Sequence, residues 1–207
     1  AKARGLRVVA VLDHWVNYEQ RFNRNGLKVW PDCFLVTDSE AYKLACLTFP
    51  PENIVQCENF YLEDQINRIT SKDETNEKQL LYICEPMRDT WGRDQDGEFQ
   101  VLDYFLETIE KLQIPNSYKI LLRPHPSESF VKYELAISKS QIPIEVSKKL
   151  DIAEDIGKSS AVFGCNSYGM VISLAANKAT YNVLPPWAPP SILPHMNIKP
   201  LTELRLK

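Results

Sequence analysis

Short apolar runs alternate with amphipathic stretches along most of the chain. Residues 6–12 (Val8, Val9, Ala10, Val11 and Leu12 among them) are a continuous apolar run, the pattern of a strand covered on both faces. Further strands are predicted at 32–37, 54–57, 80–84, 118–122, 143–146, 161–165 and 179–183, the last being the final strand. Helices are predicted at 40–48, 61–69, 98–112, 128–137, 151–156 and 168–177. The 98–112 stretch carries the clearest 3.6-residue period, through Val101, Leu102, Phe105, Ile109 and Leu112. Asp38 or Ser39 can cap the first helix, and Asp151 the one at 151–156. Strands alternating with helices predict a parallel sheet with right-handed crossovers.

The fold class expected is therefore α/β, as two Rossmann-like parallel-sheet units with the amino-terminal one incomplete. Residues 71–78 (SKDETNEK) are polar, charged and without apolar period, and read as a linker. That places a partial amino-terminal unit at 1–70 and a second unit at 79–184. A tail follows at 185–207, where Pro185, Pro186, Pro189 and Pro190 surround Trp187 in a rigid extended loop. The tail reads as a surface strap rather than a lid. Residues 1–5 resemble the end of a helix with a Gly5 cap, from which the chain is expected to begin inside a domain.

Composition narrows the classes. At 207 residues the chain suits one large or two small domains, and its net charge of −3 and pI near 5.7 argue against a broad nucleic-acid-binding surface. No apolar run reaches the ~18 residues of a membrane span, and no signal peptide is evident. The expected location is the cytoplasm, with a peripheral place at a membrane surface as the alternative. The five cysteines form no CxxC pair and read as buried free thiols. With three scattered histidines there is no zinc-ligand spacing, so neither metal nor cofactor is expected.

Candidate chemistry gathers at strand ends, where open α/β sheets bind ligands. After strand 118–122 come Arg123-Pro124-His125-Pro126. The two prolines fix the backbone around His125. A guanidinium and an imidazole at such an edge suit phosphate; the alternative is a buried Arg–carboxylate pair. After strand 161–165, Asn166-Ser167-Tyr168-Gly169 open a helix whose N–H groups and dipole favour an anion, or Asn166 or Ser167 serves only as a cap. Glu85 and Arg88 follow strand 80–84 and face the same edge, as phosphate or sugar contacts. Glu145 is a candidate for ribose hydroxyls. Asp13 and His14 follow the first strand beside Trp15 and Tyr18, which marks either a site or a polar loop around a core Trp.

These motifs resemble the GT-B glycosyltransferases. The Arg-Pro-His-Pro run, followed about 40 residues later by Ser167 at a helix start, is similar to bacterial sialyl-, polysialyl- and Kdo-transferase-like enzymes. The resemblance lies mainly in residues 80–183. It implies that His125 and Ser167 hold the phosphate of a nucleotide sugar, a CMP-sugar being favoured over a UDP-sugar. The acceptor implied is a glycan or lipid-linked saccharide, in polysaccharide biosynthesis. The family's general base is a carboxylate of the amino-terminal domain, for which Asp13 is the candidate and His14 the substitute. No metal is implied, there being no Asp-x-Asp run. A nucleotide-sugar epimerase or hydrolase of the same fold, or a non-catalytic nucleotide-binding fragment, is the alternative.

Overall fold

A computed structural model describes residues 1–70, 78–115 and 117–204. The predicted linker, apart from Lys78, lies outside the described residues. The chain forms two compact units, Ala1–Tyr61 with Ile192–His195, and Leu62–Ser191 with Met196–Lys207. The division falls near the start of helix α2 (Phe60–Thr70).

The first unit opens with a 3-10 turn, Lys2–Arg4, closed by Gly5 at φ 70°. Its parallel sheet has the order β1 (Val9–Val11), β4 (Cys33–Val36), β5 (Ile54–Gln56). Between β1 and β4 lies an antiparallel hairpin, β2 (Asn23–Arg24) and β3 (Leu27–Lys28). Asn25 and Gly26 turn it at φ 53° and 81°, the left-handed pair a two-residue hairpin turn needs. That Asn-Gly pair was the available signal for a hairpin the periodicity did not predict.

Helix α1 (Ser39–Cys46) is capped by the Asp38 carboxylate, which accepts the Ala41 N–H at 2.6 Å. Phe34 stacks on Phe49 at 3.8 Å in the core of this unit. The expectation of a first strand covered on both faces is corrected: Val9 and Val11 are 48% and 59% exposed. The register Val11↔Leu35↔Val55 puts these side chains on one face, opposite the face where Phe34 and Val36 are buried.

The second unit is built on six parallel strands in the order β11-β10-β9-β6-β7-β8. They are β6 (Gln79–Ile83), β7 (Lys119–Arg123), β8 (Ile144–Val146), β9 (Ala161–Gly164), β10 (Ala179–Asn182) and β11 (Lys199–Pro200). The helices are α3 (Gly97–Lys111), α4 (Glu134–Lys139), α5 (Ile152–Lys158) and α6 (Tyr168–Ala175). The buried Val101, Phe105 and Ile109 of α3 pack with Leu80, Ile120, Leu122 and Phe163, as the period predicted. Two boundaries differ. The stretch read as a helix at 128–137 is a 3-10 turn, Phe130–Tyr133, leading into α4. The strand at 179–183 is not the last, because the tail returns to add β11, too short to carry a pattern.

From β6 the chain builds outward through β7 to β8, then crosses back to lay β9 on the other side of β6. The direction reverses between β6 and β9. Such a switch point leaves a crevice at the carboxyl ends of the two strands, where ligands of open α/β sheets bind.

Candidate functional site

Glu85 leaves β6 at that crevice. Its Oε2 accepts the Asn166 N–H, just beyond β9, at 2.8 Å. Burial raises the carboxyl above the ordinary glutamate value; the backbone N–H groups of Asn166 and Ser167 and the nearby His125 imidazole offset only part of this. An internal carboxylate thus occupies the start of α6, where the helix dipole favours a negative charge. Ser167 caps α6, its Oγ accepting the Gly169 N–H at 3.2 Å. Gly169 packs closely, since a Cβ there would meet the Cδ1 atoms of Ile152 and Ile83 at 2.6 and 2.8 Å and require those side-chain ends to shift. Tyr168 is half-buried in the first turn. The Asn166 side-chain oxygen accepts the Ser191 hydroxyl at 3.0 Å, which brings the tail against this edge.

His125 follows β7, exposed between its two prolines. Its Nδ1 accepts the Ser127 N–H at 3.2 Å and lies 2.7 Å from the Ser127 Oγ. With Nδ1 accepting, the ring carries its proton on Nε2 in that tautomer. Ser127 was not among the expected site residues, although a Ser two residues past a turn histidine is a local signal. Thiolate chemistry is disfavoured, because burial pushes the neighbouring Cys84 thiol up to about 12 and Cys165 well above its ordinary value. Among the described residues, no group of three or more His, Cys, Asp or Glu side chains gathers to hold a metal ion.

Three of the expected contact residues have partners within the protein. Arg123 is spent internally: Nη1 donates to Asp155 Oδ2 at 2.5 Å and to the Lys149 carbonyl at 3.1 Å, and Nη2 to the Leu150 carbonyl at 3.0 Å. It is the buried Arg–carboxylate pair, with Ser147 Oγ donating to the same Asp155 oxygen at 2.6 Å. Arg88 donates to Glu98 Oε1 at 2.6 Å and pairs with Glu128. Lys132 completes that cluster on the buried Glu98 at 2.9 Å, so the four side chains tie the loops after β6 and β7 together. Glu145 pairs with Lys119 at 3.0 Å, and its register partner is Leu121, two residues short of the end of β7.

In the first unit, Arg21 Nη1 donates to Asp13 at 2.7 Å and holds its carboxyl below the ordinary range. The Asp13 side chain is 79% exposed. His14 Nδ1 accepts the Trp15 N–H at 3.1 Å, and the Trp15 indole donates to Asp38 at 3.1 Å. The β1-β4-β5 order follows the chain in one direction and has no switch point.

No protein-family model matches this chain, and no curated protein does. Solved structures do match in fold. S. aureus MnaA, in a co-structure with UDP, aligns over 88% of this chain and 52% of its own at 15% identity and a TM-score of 0.59. A Listeria monocytogenes protein described as a UDP-N-acetylglucosamine 2-epimerase aligns over 73% of this chain and 42% of its own, at 14% identity and a TM-score of 0.50. The chain thus spans about half the length of the structures it matches. The fold is α/β, with parallel sheets matching the Rossmann-like units of GT-B-type structures. No helix among the described residues is long and apolar enough to cross a membrane.

Proposed function

We propose that the second unit binds the phosphates of a nucleotide-activated sugar, and that the whole protein is an enzyme acting on such sugars. The observation that carries this is the convergence of Glu85, the His125 imidazole and the start of α6 at the β6/β9 switch point. The His125 Nε2–H donates to a phosphate oxygen. Ser167 and the N–H groups at the start of α6 receive the charge that Glu85 now balances. Fixed donors of this kind stabilise the negative charge that develops on a departing nucleotide. Glycosyl transfer to a glycan or lipid-linked acceptor is one reading.

Epimerisation is the second, favoured by one observation. Glu85 is a carboxyl kept protonated to higher pH by burial, inside the crevice, where acid–base chemistry at the sugar requires a group. The Listeria protein of similar fold, described as an epimerase, supports the same reading.

The UDP in the S. aureus co-structure makes UDP the first nucleotide to test. Calorimetry with UDP, CMP and CDP identifies the base, and His125→Ala is expected to weaken binding about ten- to a hundredfold. Unchanged affinity in that variant, or no binding of any of the three, overturns the proposal. Incubating a bound nucleotide's sugar with and without acceptor then separates the readings, since transfer needs the acceptor and epimerisation does not.

A further inference from the structure

Apart from the crevice, the second unit holds an open pocket of about 520 Å³ beside α3, lined among others by Arg93, Gln100, Asp103, Tyr104 and Trp187. None of its lining residues belongs to the Glu85–His125–Ser167 cluster. Trp187 is its fixed point. The indole N–H donates to Gln100 Oε1 at 2.8 Å. Gln100 is itself only 3% exposed, and its NH₂ donates to the carbonyls of Thr90 at 2.6 Å and Gln95 at 2.8 Å. Both ends of the amide are used, so its orientation and that of the indole are set.

Prolines on either side restrict the backbone further, and the Ala188 N–H closes a turn on the Pro185 carbonyl at 2.9 Å. Tyr104 meets the indole edge-on at 5.8 Å, and the Arg93 guanidinium lies over one face of the ring, 3.9 Å from its centroid. A buried amide thus anchors a tryptophan that remains 41% exposed. Packing alone would bury such a ring; this one is held at the surface.

The polar lining says what it suits. Three carboxylates, Asp94, Asp103 and Glu107, line the pocket together with the single guanidinium of Arg93. Carboxylates accept hydrogen bonds from paired hydroxyls, a guanidinium donates to hydroxyl and ring oxygens, and an indole packs against the C–H face of a pyranose. The excess of negative charge disfavours phosphate, uronate and sialate. We propose that this pocket is a saccharide subsite for a neutral pyranose unit, packed on the part of the Trp187 ring that Arg93 leaves exposed. Its role in seating an acceptor or product glycan rests on the nucleotide-sugar reading above; its affinity for sugar does not.

The test is titration of the whole chain with lactose, maltotriose and N,N′-diacetylchitobiose, with sialyllactose as the anionic comparison, followed by tryptophan fluorescence and calorimetry. At least one neutral oligosaccharide is expected to saturate in the millimolar range, with Trp187→Ala weakening it about tenfold or more. Arg93→Ala, on an exposed turn, is expected to weaken it severalfold and serves should the Trp187 variant fold poorly. The inference is overturned by no saturable response to any neutral sugar, by undiminished affinity in both variants, or by sialyllactose binding as tightly as lactose. UDP titrated on the same samples keeps the two proposals apart: UDP binding without sugar binding sinks the subsite alone, and the reverse sinks the nucleotide crevice alone.

Discussion

Val9 and Val11 of β1 stand half in water, whereas Leu80 to Ile83 of β6 are fully buried, though the two runs look alike as sequence. The difference lies in what surrounds each strand. Among the described residues strand β1 pairs only with β4, at the edge of three strands; β6 lies between β9 and β7, with α3 packed on one face and α5 on the other. The contrast extends to the loops. Both strands release charged residues, Asp13-His14 from one and Glu85 from the other. Only the second emerges where the sheet reverses direction and a neighbouring helix start is within reach. A polar residue at a strand tip becomes a site through topology, not through its own identity.

The contrast can be broken by substitution. Asp155→Ala should have the largest effect, about 3–5 kcal/mol in urea denaturation, because it strands the Arg123 charge beneath α5. An undisturbed midpoint would return Arg123 to the list of free phosphate ligands. Leu80→Ala should cost about 2–5 kcal/mol and Val11→Ala within about 0.5 kcal/mol. Similar losses at both positions would mean that the β1 face is covered.

Glu85→Gln sharpens the comparison through pH. A carboxyl whose folded value is raised contributes stability that is complete below the ordinary value of 4.5 and is lost as pH rises through the folded value. The wild type should therefore lose more stability than the Gln variant as pH climbs from about 4 to about 8, read from urea midpoints. Parallel pH curves for the two proteins would remove the buried-acid argument. Asp13→Asn should be the smallest change, within about 0.5 kcal/mol, since its pair with Arg21 is exposed. Turnover at the wild-type level in that variant would end its candidacy as the general base.

Much of this architecture was legible as sequence. The α3 period, the Asp38 and Asp151 caps and the strand–helix alternation each follow from local chemistry, and each appears. The Asn25-Gly26 hairpin was not among the expected elements, although its turn residues carried the signal. What could not be read was long-range. Arg123 and Asp155 are 32 residues apart in the chain, and nothing local to either says that the guanidinium turns inward. The same holds for Glu85 and Asn166, separated by 81 residues. Strand ends could be predicted to carry ligand groups, but which carboxylate meets which cation depends on strand order, which periodicity does not encode.

The glutamate at the start of α6 has a thermodynamic corollary. An anion arriving there meets a position already held by a negative group, so one charge must be exchanged for another. On the nucleotide-sugar reading, a phosphate that displaces Glu85 from the Asn166 and Ser167 N–H groups removes two influences that lower its carboxyl, while burial continues to raise it. On that reading ligand capture and proton uptake are linked. The signature is a heat of association that varies with the ionisation enthalpy of the buffer and an affinity that strengthens as the solution is acidified.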